Sequence, residues 1–297
     1  MQDNFELRLD IHDRRRFGLG VKTAREWNVT VYAGRAGDRN PRAMQGAVLL
    51  GTEIAHRCAS STNEVGTAAP IMNGGWALQL REALPDLRLL ADDLAKRLDS
   101  GNPVITIIGR CAAAIATLPV VAKRHPDTAI VYFDAHGDCN TPKDKDCLDS
   151  AYLGGMVLSG AAGEWDTGLG MDLDLSQIIL VGSRDLDPPE REKIGTGQIC
   201  LVETGPHFVD RLLAATGGRS VYIHLDCDVL EAGLVPTEYQ VPNGLSYAAL
   251  EEACTALSKL TVIGLEIAEY EGTWPDGKPA NPDRLITTIA PILKAIR

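Results

Sequence analysis

Val131-Tyr132-Phe133-Asp134-Ala135-His136-Gly137-Asp138 is the stretch that decides how this chain reads. A run of apolar, β-forming residues stops abruptly in acids and a histidine. The same design returns at Val221-Tyr222-Ile223-His224-Leu225-Asp226-Cys227-Asp228. Successive strand side chains point to opposite faces. Continued alternation therefore predicts Asp134, His136 and Asp138 on one face, and Asp226 and Asp228 on one face. Two ligand-type clusters at two strand ends are what a dinuclear metal site needs.

Outward from these two stretches the chain alternates strand and helix. Strands are expected at 29–33, 104–108, 129–133, 177–181, 199–202, 221–225 and 262–267. Helices are expected at 44–57, 84–98, 112–124, 190–195, 209–215, 247–259 and 282–296, with a small-residue helix over 153–160 and a long polar loop over 60–75. This pattern predicts an α/β fold, a three-layer α/β/α domain around a mainly parallel, doubly wound sheet. Sites in such sheets lie beyond the carboxyl ends of the strands, where both acidic stretches fall. Residues 1–28, with Arg14-Arg15-Arg16, read as a solvated basic extension, and 29–297 as a single domain.

The composition narrows the class. Of 297 residues 45% are hydrophobic and 23% charged, the balance of a soluble globular protein. No window approaches the roughly 18 unbroken apolar residues of a membrane span. The first 22 residues lack an apolar signal core, which predicts a cytoplasmic protein. A net charge of −11 argues against a nucleic-acid partner. Seven irregularly spaced cysteines without a CxxC pair predict reduced thiols and no zinc knuckle.

Asp134, His136, Asp138, Asp226 and Asp228 supply carboxylates and an imidazole, a donor set suited to manganese. Two such ions generate a water-derived nucleophile at neutral pH. His224 shares the face of Asp226 and so reaches toward the site, but its plainer reading is a buried, hydrogen-bonded histidine.

These residues carry a resemblance. Asp134-Ala135-His136-Gly137-Asp138-Cys139-Asn140-Thr141-Pro142 resembles the DAHxDxNTP signature of the arginase and ureohydrolase family. Asp226-Cys227-Asp228-Val229-Leu230 resembles its second metal motif, and Gly264-Leu265-Glu266-Ile267-Ala268-Glu269 its late GLDIxE segment. Arg184-Asp185-Leu186-Asp187-Pro188-Pro189-Glu190 is similar to the RDVDPxE segment of arginases. The resemblance implies two Mn2+ ions per chain and a small guanidino amino acid as substrate, with an oligomer as the expected assembly. Asp134 and Asp226 would bridge the ions, His136 and Asp228 would complete one, and Asp138 would bind the other and pass a proton to the leaving amine. Glu269 would face the guanidinium. Asn140 and Ser150 would lie near the carboxylate of the amino acid, and Asp187 and Glu190 near its amino group. Asp187 and Glu190 also read as a capped helix start with Pro188 at its first position, and the two readings are compatible.

Two departures bear on the substrate. Where the family has a metal-binding histidine, Ile108-Gly109-Arg110-Cys111 places Cys111, a thiol expected at a helix N-terminus, where ionisation is favoured. Where arginases carry a proton-shuttling histidine, this chain has Gly154. Losing such a group typically costs about 10²–10⁴ in rate. A hydroxyguanidine is less basic than a guanidine, and its hydroxyl would fit the space of the missing ring. Cys111, Gly154 and the run 152–160 together resemble the hydroxyarginine-hydrolysing branch of the family, which serves D-cycloserine biosynthesis. The expected reaction is Nω-hydroxy-L-arginine plus water to L-ornithine and hydroxyurea. The competing expectations are hydrolysis of L-arginine to ornithine and urea, and a degenerate, non-enzymatic binding protein stabilised by metal.

Overall fold

The computed structural model describes residues 28–144 and 152–296. Eight strands form one sheet: β1 (Asn28–Tyr32), β2 (Ser61–Val65), β3 (Ile105–Ile107), β4 (Ala129–Phe133), β5 (Ile178–Val181), β6 (Cys200–Val202), β7 (Val221–Asp226) and β8 (Val262–Ala268). Their order is β2-β1-β3-β8-β7-β4-β5-β6, and every pairing is parallel. Parallel neighbours need crossovers, which helices supply. The helices are α1 (Arg42–Arg57), α2 (Trp76–Ser100), α3 (Ala114–Arg124), α4 (Val157–Ala161), α5 (Pro188–Gly195), α6 (Phe208–Thr216), α7 (Tyr247–Leu257), α8 (Asp283–Thr288) and α9 (Ala290–Ala295).

Strand alternation divides the core into two layers. Val131 and Phe133 pack with Leu50 of α1, Leu212 of α6 and Leu250 of α7. Ile130 and Tyr132 pack on the other face, with Leu90 of α2, Ile115 of α3 and Val157 of α4. The α/β reading of the sequence is the fold observed.

Three segments differ from expectation. Residues 60–75 contain β2, an edge strand whose polar Ser-Thr-Asn-Glu run is mostly exposed and so carries no apolar alternation. α2 starts at Trp76, ahead of Pro85, because Leu80, Ala83, Leu87, Leu90 and Leu94 form a continuous buried stripe. That burial outweighs the one backbone hydrogen bond a proline removes. The last expected helix is divided into α8 and α9 at Ile289, with Pro291 in the first turn of α9.

Candidate functional site

The acids gather beyond β4 and β7, but strand alternation is not what gathers them. Each strand ends in a tight turn in which the first aspartate accepts the backbone N–H two residues on. His136 N donates to Asp134 Oδ1 at 2.7 Å, and Asp228 N to Asp226 Oδ1 at 2.7 Å. Ala135 N then donates to Asp228 Oδ1 at 3.1 Å, tying one turn to the other. His136 Nδ1 lies 3.2 Å from both Asp134 Oδ1 and Asp228 Oδ2.

Three groups of potential ligands result: Asp134 with His136 and Asp228, Cys111 with Asp226 and Glu269, and Cys111 with Asp134 and His224. Cys111 Sγ lies 2.9 Å from Asp226 Oδ2, 3.3 Å from His224 Nε2 and 3.9 Å from Asp134 Oδ2. Asp138 stands outside the three groups, with Oδ2 accepting the Tyr132 hydroxyl at 2.7 Å, but it lines the same pocket. Asp138 (φ 49°) and Glu269 (φ 62°) both hold left-handed backbone, a strain that clusters at functional sites.

Burial pushes the Asp134, Asp138 and Asp226 carboxyls upward, and neighbouring carboxylates add to it. Asp228 also pays desolvation, but the His136 cation outweighs it and holds this carboxyl below its usual range. Burial disfavours the imidazolium of His136, yet Asp228 and Asp134 raise its pKa. Cys111 corrects the expectation of a readily ionised thiol. Burial and the charges of Asp226 and Asp134 raise its pKa well above the ordinary value. The turn at Cys111–Ala113 is only three residues of 3-10 helix, and four acids outweigh it.

This donor set fits a pair of divalent cations. Carboxylates, imidazole and thiol converge within ligand distance of one another. The buried Asp228 Oδ2 makes no well-aligned hydrogen bond and faces the His136 ring at 3.2 Å. Like charges held this close out of water are costly unless a cation joins them.

On the substrate side, His136, Asp138, Tyr152, Gly154, Tyr239 and Glu269 line the pocket with Cys111. The space expected beside Gly154 is already filled. A Cβ there would stand 2.5 Å from Cε1 of Tyr152, whose ring folds over the glycine. The Tyr152 hydroxyl is buried without a hydrogen-bond partner. Asn140 and Asp187 are brought together, Nδ2 donating to Oδ2 at 2.8 Å. Glu190 is buried, and its carboxylate accepts the N–H groups of Cys139 (3.0 Å) and Asp187 (2.9 Å), which completes the helix start read from the sequence. Ser150 and the extension to residue 27 lie outside the described residues.

Sequence reading missed Arg110. This fully buried guanidinium donates to Glu269 Oε2 at 2.5 Å and Glu271 Oε1 at 3.0 Å, pairs with Glu238 Oε2 at 2.6 Å and lies 3.7 Å from Asp38 Oδ1. Burial raises the Asp38 carboxyl to about 6 against the pull of Arg110. Burial likewise raises Glu269 to about 7, with Arg110 opposing it. The signal was a lone charge between an apolar strand and an apolar helix, since arginine is almost never buried unless paired.

The model of the arginase family matches residues 34–278. The N(omega)-hydroxy-L-arginine amidinohydrolase of Streptomyces lavendulae is 35% identical over 269 residues, covering 91% of this chain and 95% of that protein. The hepatic arginase of Aquarana catesbeiana is 27% identical over 168 residues, 50% of this chain and 51% of that one. Among solved structures, the arginase of Entamoeba histolytica in complex with L-ornithine superposes with a TM-score of 0.75 at 21% identity, covering 90% of this chain and 97% of that chain.

Proposed function

Because the chain belongs to the arginase family and is a hydrolase, we propose that it cleaves Nω-hydroxy-L-arginine with water to L-ornithine and hydroxyurea. The observation that carries this reading is the pairing of Glu269. Its two oxygens are taken by Arg110 (2.5 Å) and by the backbone N–H of Cys111 (3.0 Å). A cationic guanidinium relies on directed carboxylate acceptors, and here the chain's own guanidinium holds one of them. A less basic hydroxyguanidine depends less on that pairing. The sequence similarity to the hydroxyarginine amidinohydrolase supports the same substrate.

Two Mn2+ ions, when bound, supply an activated water as nucleophile. Asp134 and Asp226 would be shared between them, His136 and Asp228 would hold one, and Cys111 and Asp138 the other. Hydrolysis breaks the bond from the guanidino carbon to the side-chain nitrogen, and the leaving amine takes up a proton. Asp138 is the carrier of that proton, held in place by the Tyr132 hydroxyl. Asn140, Ser150, Asp187 and Glu190 would orient the amino acid end, Asp187 making the amine contact because the Glu190 carboxylate is engaged with backbone. The six described cysteines are free, in keeping with a cytoplasmic enzyme. Among the described residues no helix is long and apolar enough to cross a membrane. D-cycloserine biosynthesis and a homo-oligomeric assembly belong to the same reading.

The test is a paired assay of manganese-loaded protein on Nω-hydroxy-L-arginine and L-arginine at equal concentration, with ornithine measured. The expected result is a preference of at least about 100-fold for the hydroxylated substrate, the lower end of what one missing acid–base group costs. Equal or reversed rates would make L-arginine the substrate.

A further inference from the structure

His224 lies under the pocket in a row of polar side chains that sheet register assembles. Tyr132 of β4 pairs with His224 of β7, and His224 pairs with Glu266 of β8. His224 therefore shares a sheet face with Asp226, two residues further on. Its ring stacks on Tyr132 at 4.1 Å between centroids and 3° between planes. Its Nδ1 lies 2.8 Å from Glu266 Oε1. Both side chains are completely buried. The tautomer with the hydrogen on Nδ1 matches Glu266 as acceptor and leaves the Nε2 lone pair free to bind. That lone pair points at Cys111 Sγ, 3.3 Å away.

The geometry points to His224 Nε2 as a ligand of the cation on the Cys111 side, an imidazole supplied from β7 in place of the one missing at position 111. This rests on the dinuclear reading above. Two observations carry it. First, the ligand atoms of Cys111, Asp134 and His224 all lie within 4.8 Å of one another. Sulfur and nitrogen bound to one cation at about 2.3 and 2.1 Å stand about 3.1 Å apart at a right angle and about 3.6 Å apart at a tetrahedral one. The observed 3.3 Å falls between. Second, metal-binding histidines almost always donate their other ring N–H to a carboxylate or carbonyl, and the buried Glu266 Oε1 stands ready to accept it 2.8 Å from His224 Nδ1.

The pocket is then asymmetric. The His136 side offers imidazole and carboxylates. The Cys111 side offers thiolate, imidazole and carboxylates, a softer set that favours zinc or cobalt relative to manganese.

Wild-type protein loaded with Co2+ is examined first by X-ray absorption, which needs no variant. Two ions per chain sharing two imidazoles, His136 and His224, are expected, together with a sulfur-to-cobalt charge-transfer band. A single imidazole per pair of ions overturns the inference and leaves the dinuclear reading intact, whereas absence of bound metal overturns both. His224→Asn is then titrated with Co2+. The tighter site should be kept and the second weakened at least about 10-fold, with the charge-transfer band shifted or lost. Glu266→Gln should weaken the same site less, within the roughly 10–100-fold typical of a residue that orients a ligand. Unchanged affinity and an unchanged band in a folded His224→Asn protein would overturn it.

Discussion

His136 and Cys111 approach opposite oxygens of Asp134, and the chain holds them in different ways. His136 is partly exposed, with Nδ1 at 3.2 Å from two carboxylates, and its charge keeps Asp228 ionised. Cys111 is buried, and its neighbours Asp226 and Glu269 are pushed upward with it by desolvation. One side thus contains its own counter-charge. The other holds acids and a thiol that only an added cation, or Arg110 at its margin, offsets. The difference teaches that sharing a sheet edge does not make two halves of a site equivalent, because each is set by what packs beneath it.

Substituting the shared residue breaks the comparison outright. Asp134→Asn removes a donor from both sides, and activity should fall on the order of 10³-fold or more, with both ions lost in elemental analysis. Arg110→Met acts on the Cys111 side alone. It takes the buried cation from Glu269 and Glu238, while Glu271 keeps Arg42 at 2.7 Å, and chemical denaturation should show a loss of about 3–5 kcal/mol. A loss under about 1 kcal/mol would mean that the acids already share protons.

Gly154→His sharpens the contrast on the substrate side. The new Cβ meets the Tyr152 ring at 2.5 Å, so the single variant should lose about 1–3 kcal/mol. Adding Tyr152→Ala should recover stability and move the ratio of arginine to hydroxyarginine hydrolysis upward. An unmoved ratio would sever Gly154 from specificity.

The pH dependence reads both sides together in the metal-free protein. Glu269 is raised from 4.5 to about 7, and Asp38 from 3.8 to about 6. Below the lower value of each pair both the folded and unfolded states are protonated. Between the two values the unfolded state ionises first, so stability falls as pH rises, and above the upper value the cost is constant. The raised pKa of His136 acts in the same direction above 6.5. The Tm of metal-free protein should therefore drop between pH 5 and 8, and Mn2+ should raise Tm more at pH 8 than at pH 5. The opposite trend would contradict the assignment of Glu269 and His136 to a cation site. The smallest effect is expected for Asp187→Ala. Loss of an N-cap should cost about 1 kcal/mol, while an increase in KM for the amino acid substrate would show the amine contact.

Much of this was legible because it is local. Apolar runs ending in Asp and His mark β4 and β7, and the helix start at Asp187 follows from Asp-Pro-Pro-Glu. Even so, the acids converge through two tight turns and not through alternation, which residue order alone does not distinguish. The ring of Tyr152, two residues from Gly154, closes a space that looked open in the sequence.

By itself the sequence determined the parallel α/β sheet, since strands buried on both faces and separated by helices have few other solutions. It also placed the carboxylates at the strand ends. Tertiary structure alone decided which side chains stand behind them. Arg110 meets Glu269 across 159 positions, and His224 meets Glu266 across 42. Those meetings depend on strand order and register, which the packing of helices against the whole sheet selects and no short stretch of chain encodes.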